Sequence, residues 1–237
     1  PKLAAAVASL QAFPTAAAWG LVAAEYARLG ILDAAYDHYR QAVALDPRDA
    51  AAYDALARIW RDSGLPHVGL GDARRAVYFA PHSAEAHNTL GTLLHALGQR
   101  RAARDAYEFA LMLDPGAAYA LNNLCYLSLL EGDSSGAIAL CRRAIVLDPS
   151  LSPARRNLAL SYASADRLDL AEQELLVADA RPVAFYNLGI IGLARRDYPS
   201  ALAAFEIACE ARPAPPGACD RVARLRAHSS PSAERVQ

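Results

Sequence analysis

The chain has 237 residues, enough to bury a sizeable core, and its 54% apolar and 21% charged content excludes an intrinsically disordered chain. Its 24 basic residues nearly balance 25 acidic ones, for a formal charge of −1, so no global field draws it to nucleic acid or to an anionic membrane. No run reaches the roughly eighteen apolar residues that a membrane span needs, and the most apolar early stretch, PTAAAWGLVAA, meets Glu25.

The chain opens at Pro1 with neither a methionine nor the basic-then-apolar pattern of a secretory leader, and we expect that something upstream has been removed. KLAAAVASLQAF then reads as a lone helix whose Leu3, Val7 and Leu10 lack a covering partner, which predicts dimerisation through this end. From Ala16 the pattern is helix, turn, helix, stop. The stop returns at Pro47, Pro81, Pro115 and Pro149, each 34 residues after the last. A fixed period of this size means stacked supersecondary units, and each proline ends a second helix because the residue before it is pushed out of the helical region.

Small side chains recur inside each period. With Ala16 as position 1, position 8 is Ala23, Ala57, Gly91, Cys125 and Ala159, position 20 is Ala35, Gly69, Ala103, Ala137 and Ala171, and position 27 is Ala42, Ala76, Ala110, Ala144 and Ala178. These let two antiparallel helices approach closely while Trp19, Tyr26 and Tyr39 fill the space beside them. Gly30, Gly64, Gly98 and Gly132 hold position 15, where a helix ends in a left-handed turn. Gly69 and Gly71 are expected to weaken the second helix of their unit by about 1 kcal/mol each. From Ala171 and Ala178 to Ala201 and Ala208 the shift is only 30 residues, which predicts a tight turn at Arg181 and Pro182 between shortened units. GACDRVARLRA reads as a final amphipathic helix covering the end of the stack.

These aromatic, small-residue and proline positions resemble the tetratricopeptide repeat family, and AAAWGLVAAEYARLGILDAAYDHYRQAVALDP is close to a consensus unit. The resemblance covers residues 16–213. It implies an all-α, right-handed superhelical solenoid of antiparallel helix-turn-helix repeats over 16–49, 50–83, 84–117, 118–151, 152–181 and 182–215. An N-terminal helix or partial repeat over 1–15, a capping helix over 216–228 and a disordered tail over 229–237 complete the expected organisation.

Catalytic patterns are missing from the sequence: it has no glycine-rich phosphate loop, no nucleophile elbow and no HExxH. His87 and His95 share one helix but lie two turns apart, too far to hold one metal, and His87 takes a position suited to packing. Cys125, Cys141, Cys209 and Cys219 include no CxxC pair, so zinc is not expected. A disulfide between Cys125 and Cys141, at facing positions of one unit, is geometrically conceivable, and one between Cys209 and Cys219 likewise; free thiols packing as small apolar groups are the preferred reading. The arginine pairs, such as Arg142-Arg143 and Arg155-Arg156, lie among balancing acids without interleaved aromatics and read as solvated faces. The reading is therefore non-catalytic, with no cofactor, no metal and no nucleic acid.

What remains is the face opposite the core stripe of each first helix. At 100° per residue, positions 2, 5, 6, 9, 12 and 13 fall on it, and stacking would join these faces into a groove. The candidate contacts are Asn88, Thr92 and His95; Asn122, Asn123, Tyr126 and Leu130; Arg156, Asn157 and Leu160; and Tyr186, Asn187 and Ile190. Asp54, Arg58 and Arg61 add charge, although Asp54 and Arg58 also stand at the spacing of a self-satisfied helical ion pair. Position 6 is asparagine three times running, Asn123, Asn157 and Asn187, in a residue type that is a poor helix former. A similar ladder in superhelical members of the family grips an extended peptide backbone. By that resemblance the chain is a protein-interaction scaffold holding a peptide or partner segment; the other readings are a bacterial envelope or pilus assembly factor, in the cytoplasm or periplasm, and the recruiting arm of a larger enzyme. The alternative role of the asparagines is to join neighbouring helices.

Overall fold

The computed structural model describes residues 1–229, with side chains through residue 227; from residue 230 on, the expected tail lies outside the described residues. Among the described residues the chain is all helix. It divides into two compact units, 1–123 and 124–237, at a point inside one helix.

The first unit holds α1 (Lys2–Ala12), α2 (Ala16–Arg28), α3 (Leu32–Leu45), α4 (Ala50–Asp62), α5 (Pro66–Phe79), α6 (Ala84–Ala96), α7 (Arg100–Leu113) and the start of α8 (Ala118–Leu130). First helices begin at Ala16, Ala50, Ala84 and Ala118, and second helices at Leu32, Pro66 and Arg100, so the sequence period of 34 becomes a structural one. Side chains of Thr15, Asp49 and Ser83 accept the amides of Ala18, Ala52 and Ala86 and so start three first helices. Second helices stop where Asp46 and Asp114 turn extended ahead of Pro47 and Pro115.

The alanines at positions 8, 20 and 27 are fully buried in this unit: Ala23, Ala57, Ala35, Ala103, Ala42, Ala76 and Ala110 are each 0% exposed. Gly69 belongs with them. A Cβ there would stand 2.9 Å from the carbonyl oxygen of Ala57 and from the Cβ of Trp60, so this glycine is a contact between α4 and α5 and not only a weak point of α5. Gly71 has nothing within 4 Å and keeps the expected cost. His87 packs on Phe109 with ring centres 4.4 Å apart, and His38 packs on Trp19 and Tyr26. No residue of α1 is fully buried, and Phe13 beyond it is 71% exposed.

The second unit holds the rest of α8, α9 (Ser134–Leu147), α10 (Ser152–Ser164), α11 (Leu168–Ala178), α12 (Arg181–Ala194), α13 (Tyr198–Cys209) and α14 (Ala218–Ser229). Its core gathers Cys125, Ala137, Cys141, Leu158, Tyr162, Leu175 and Ile191. The period shortens where the spacing implies, with 11 residues in α11 against 14 in α9, but the turn lies at Asp179 and Ala180 and not at Arg181 and Pro182, which open α12 because proline suits the first turn of a helix. α14 lays Val222 and Leu225 on the Phe205 cluster of α13.

The cysteines correct the preferred reading, because all four are paired. Cys125 and Cys141 face each other across α8 and α9 with Cα atoms 5.4 Å apart, both fully buried. Cys209 and Cys219 join α13 to α14 with Cα atoms 5.0 Å apart. The close helix approach that makes those positions fit for small side chains also brings the Cα atoms within disulfide reach. Among the described residues, no helix is long and apolar enough to cross a membrane.

Candidate functional site

In the first unit, α4, α6 and the start of α8 present the expected face. Asn123 donates its side-chain N–H to the side-chain oxygen of Asn88 at 2.8 Å, and Asn122 lies at the limit of the same interaction, 3.5 Å from the Asn123 oxygen. Arg61 reaches from α4 to the Thr92 hydroxyl of α6 at 3.1 Å while pairing with Asp62. These amides and hydroxyls therefore join neighbouring helices as well as lining a face. His95, on the same helix as Thr92, is held below the usual imidazole range by burial and then by Arg100.

A niche of about 460 Å³ lies beside them, lined by Tyr39, Asp54, Arg58, Ser83 and Glu85 among alanines. Burial pushes the Asp54 carboxyl above the usual range, against a Thr89 hydrogen bond and the charges of Arg58 and Arg61. One carboxylate oxygen of Asp54, Oδ1, is buried without a hydrogen bond, and its nearest Arg58 contact is loose at 3.8 Å. The Tyr119 hydroxyl is likewise buried and unbonded; burial, with Glu85, Asp114 and Asp54 adding to it, pushes its pKa up to about 12.

In the second unit the expected face is more apolar. Leu129, Leu160, Ala163, Ser164, Ile190 and Ala194 line a groove of about 350 Å³ between α8, α10 and α12. Tyr126, Leu130 and Leu160 are 38%, 40% and 37% exposed. Asn157 and Asn187 follow on α10 and α12. Tyr186 is partly covered, because Arg221 of α14 donates to its hydroxyl at 3.2 Å.

One residue of this face was not legible as such. Asp179, in the short joint between α11 and α12, has a side chain only 6% exposed, and its two oxygens take the Arg156 Nε at 2.9 and 3.0 Å. Asn187 donates to it as well, at 3.3 Å. Arg156 is thus bound within the fold, and its pKa is raised chiefly by the Asp179 hydrogen bond. The only signal in the sequence was that ADARP replaces the LDP stop of the earlier units.

Among the described residues, no group of three or more His, Cys, Asp or Glu is gathered so as to hold a metal ion. The tetratricopeptide repeat model matches residues 88–152, and the helix pair found there recurs at the same spacing from Ala16 through Ala178. The chain has the tetratricopeptide repeat fold. No curated protein matches this repeat protein in sequence. In structure it is similar to a chain of the Cut9–Hcn1 APC/C hetero-tetramer, with a TM-score of 0.82, 17% identity and 94% of this chain covered. It spans 46% of the length of that chain. It is also similar to PilW, a type IV pilus biogenesis factor, at TM-score 0.75 and 20% identity, over 89% of this chain and 98% of the other. Pseudomonas aeruginosa PilF gives TM-score 0.69 and 17% identity, over 90% and 97%. Tetratricopeptide repeats form scaffolds for protein–protein interaction, their stacked helices presenting extended surfaces to a partner.

Proposed function

We propose that the chain is a non-catalytic scaffold that holds an extended segment of a partner protein on the inner helices of its second unit. The observation carrying this reading is the groove between α8, α10 and α12, where Leu160 is exposed beside a half-buried Ile190 and Tyr126 and Leu130 lie exposed nearby. Asn157 and Asn187 lie on the same helices, and a primary amide offers both a donor and an acceptor to a peptide backbone while ignoring its side chains. In the first unit, Asn88, Thr92, His95, Asn122 and Asn123, with Asp54, Arg58 and Arg61 beyond them, would add a more polar contact face. The test places a photo-crosslinking amino acid at residue 160 in the source organism. A discrete crosslinked partner, lost when Ile190→Asp closes the groove, is expected; the same crosslink from a position on the outer helix α9 would overturn the reading.

A second reading is favoured by the disulfides. Paired cysteines persist in oxidising compartments and are rare in reducing ones, which supports a place in a cell envelope. There the fold likeness to PilW and PilF gives this reading a pilus assembly role to test. Alkylation of the protein in intact cells, before lysis, separates the two compartments: four blocked thiols favour the envelope, and four reactive thiols exclude it.

The half-covered strip of Leu3, Val7 and Leu10 on α1 is the surface on which a dimer would form. Sedimentation equilibrium would show dimers that Val7→Ser dissociates; a strict monomer at high concentration would remove dimerisation.

A further inference from the structure

The joint between the fifth and sixth repeats carries a second opening, which shares only Ile191 and Arg195 of its lining with the groove above. Its lining comes from the second helices α11 and α13, with part of α12 as floor: Leu168, Phe185, Leu188, Ile191, Ala203 and Ile207 make it apolar. It lies in the one stretch where the helix spacing falls from 34 to 30, since α13 starts 30 residues after α11. Its volume is about 340 Å³, roughly twice that of a cavity of about 150 Å³ that takes a benzene. Two ring-sized apolar groups fit.

The polar lining is one-sided. Asp169, Glu172 and Asp197 face one cation, Arg195. That arginine is already occupied, because it donates to the carbonyl oxygen of Ala163 at 2.8 Å and pairs with Asp166. Arg181 lies over the Phe185 ring at 5.4 Å and does not line the opening. An apolar slot with an acidic edge is complementary to an apolar group flanked by positive charge. We propose that this slot docks a helical segment of a partner protein carrying two bulky apolar side chains one turn apart, with Lys or Arg on either side. Helix α11 and helix α13 would flank the incoming helix and α12 would lie beneath it, as in other helix-in-groove contacts.

The probe is a fluorescein-labelled, alanine-based helical peptide with Phe and Leu four positions apart and flanking lysines, titrated into the full chain and read by anisotropy. Two controls replace Phe and Leu by Ser, and the lysines by Glu. Saturable micromolar binding of the parent peptide, and of neither control, is expected. Ala203→Trp, at an exposed position of the lining, should fill the slot and abolish binding, with an unchanged circular dichroism spectrum showing that the fold is kept. Glu172→Lys should weaken binding roughly tenfold without filling anything. Leu160→Ser, in the other groove, should leave it unchanged. Absence of binding, binding that survives both Ala203→Trp and Glu172→Lys, or binding lost only in Leu160→Ser would overturn the proposal. So would self-association of the chain that Ala203→Trp abolishes, since the slot would then hold a second copy.

Discussion

Asn123 gives its amide hydrogen to the side chain of Asn88, 35 residues earlier, at 2.8 Å. A residue that we propose contacts a partner thus also joins α6 and α8. A double-mutant cycle apportions the two uses: Asn88→Ala and Asn123→Ala should each cost about 1 kcal/mol in urea unfolding, and the double variant little more than either alone. Full additivity would show that the bond contributes nothing to the fold.

Asp54 should limit stability at neutral pH. Its carboxyl is raised above the usual range by burial, so the folded state favours the neutral form; its stabilising contribution is present below the unfolded-state value and is lost as pH rises through the folded one. Asp54→Asn should therefore raise the melting temperature by a few degrees at pH 7, and the gain should vanish as pH falls below the carboxylate range. A gain that persists in acid would contradict this origin.

The two disulfides should reduce in order. Cys219 is exposed, whereas Cys125 and Cys141 are fully buried, so mild dithiothreitol followed by alkylation and mass spectrometry should label Cys209 and Cys219 first. With loops closed over separations of 16 and 10 residues, loss of either crosslink should cost about 3 kcal/mol in unfolding experiments.

Arg196 should yield stability when replaced by glycine. It and Asp166 adopt left-handed backbone, with φ of 61° and 62°, at the position that glycine holds in the first four repeats. Arg196→Gly removes a strain of about 1 kcal/mol or more while freeing the unfolded chain, for a net gain of about 0.5 kcal/mol. Asp166→Gly should gain less, because it also forfeits the pair with Arg195. Thermal unfolding of both variants against the parent decides it.

The helix pairs were legible because Pro47, Pro81, Pro115 and Pro149 and the buried alanines repeat on one period, and a repeated local rule survives small errors at each position. The shortening of the period was legible for the same reason, but not the place of the turn, which falls at Asp179 and Ala180, before Arg181. What could not be read were pairwise distances. A cysteine at a small-residue position is compatible with packing or with pairing, and only the 5.4 Å between two Cα atoms decides for pairing. Asp179 stood in an unremarkable joint until the fold buried it against Arg156 and Asn187. Gly69 read both as a close-approach position and as a weak point of its helix, and the 2.9 Å that would separate a Cβ from α4 shows which role prevails.

Both crosslinks lie in the second compact unit, and none in the first. In a repeat protein each unit draws its stability from its immediate neighbours, so an oxidant is needed unevenly along the chain. During synthesis the N-terminal repeats can close as soon as they emerge, whereas the C-terminal repeats reach full strength only after four thiols have met an electron acceptor. Maturation of the molecule would then proceed in two steps, the first timed by translation and the second by oxidation of the four thiols.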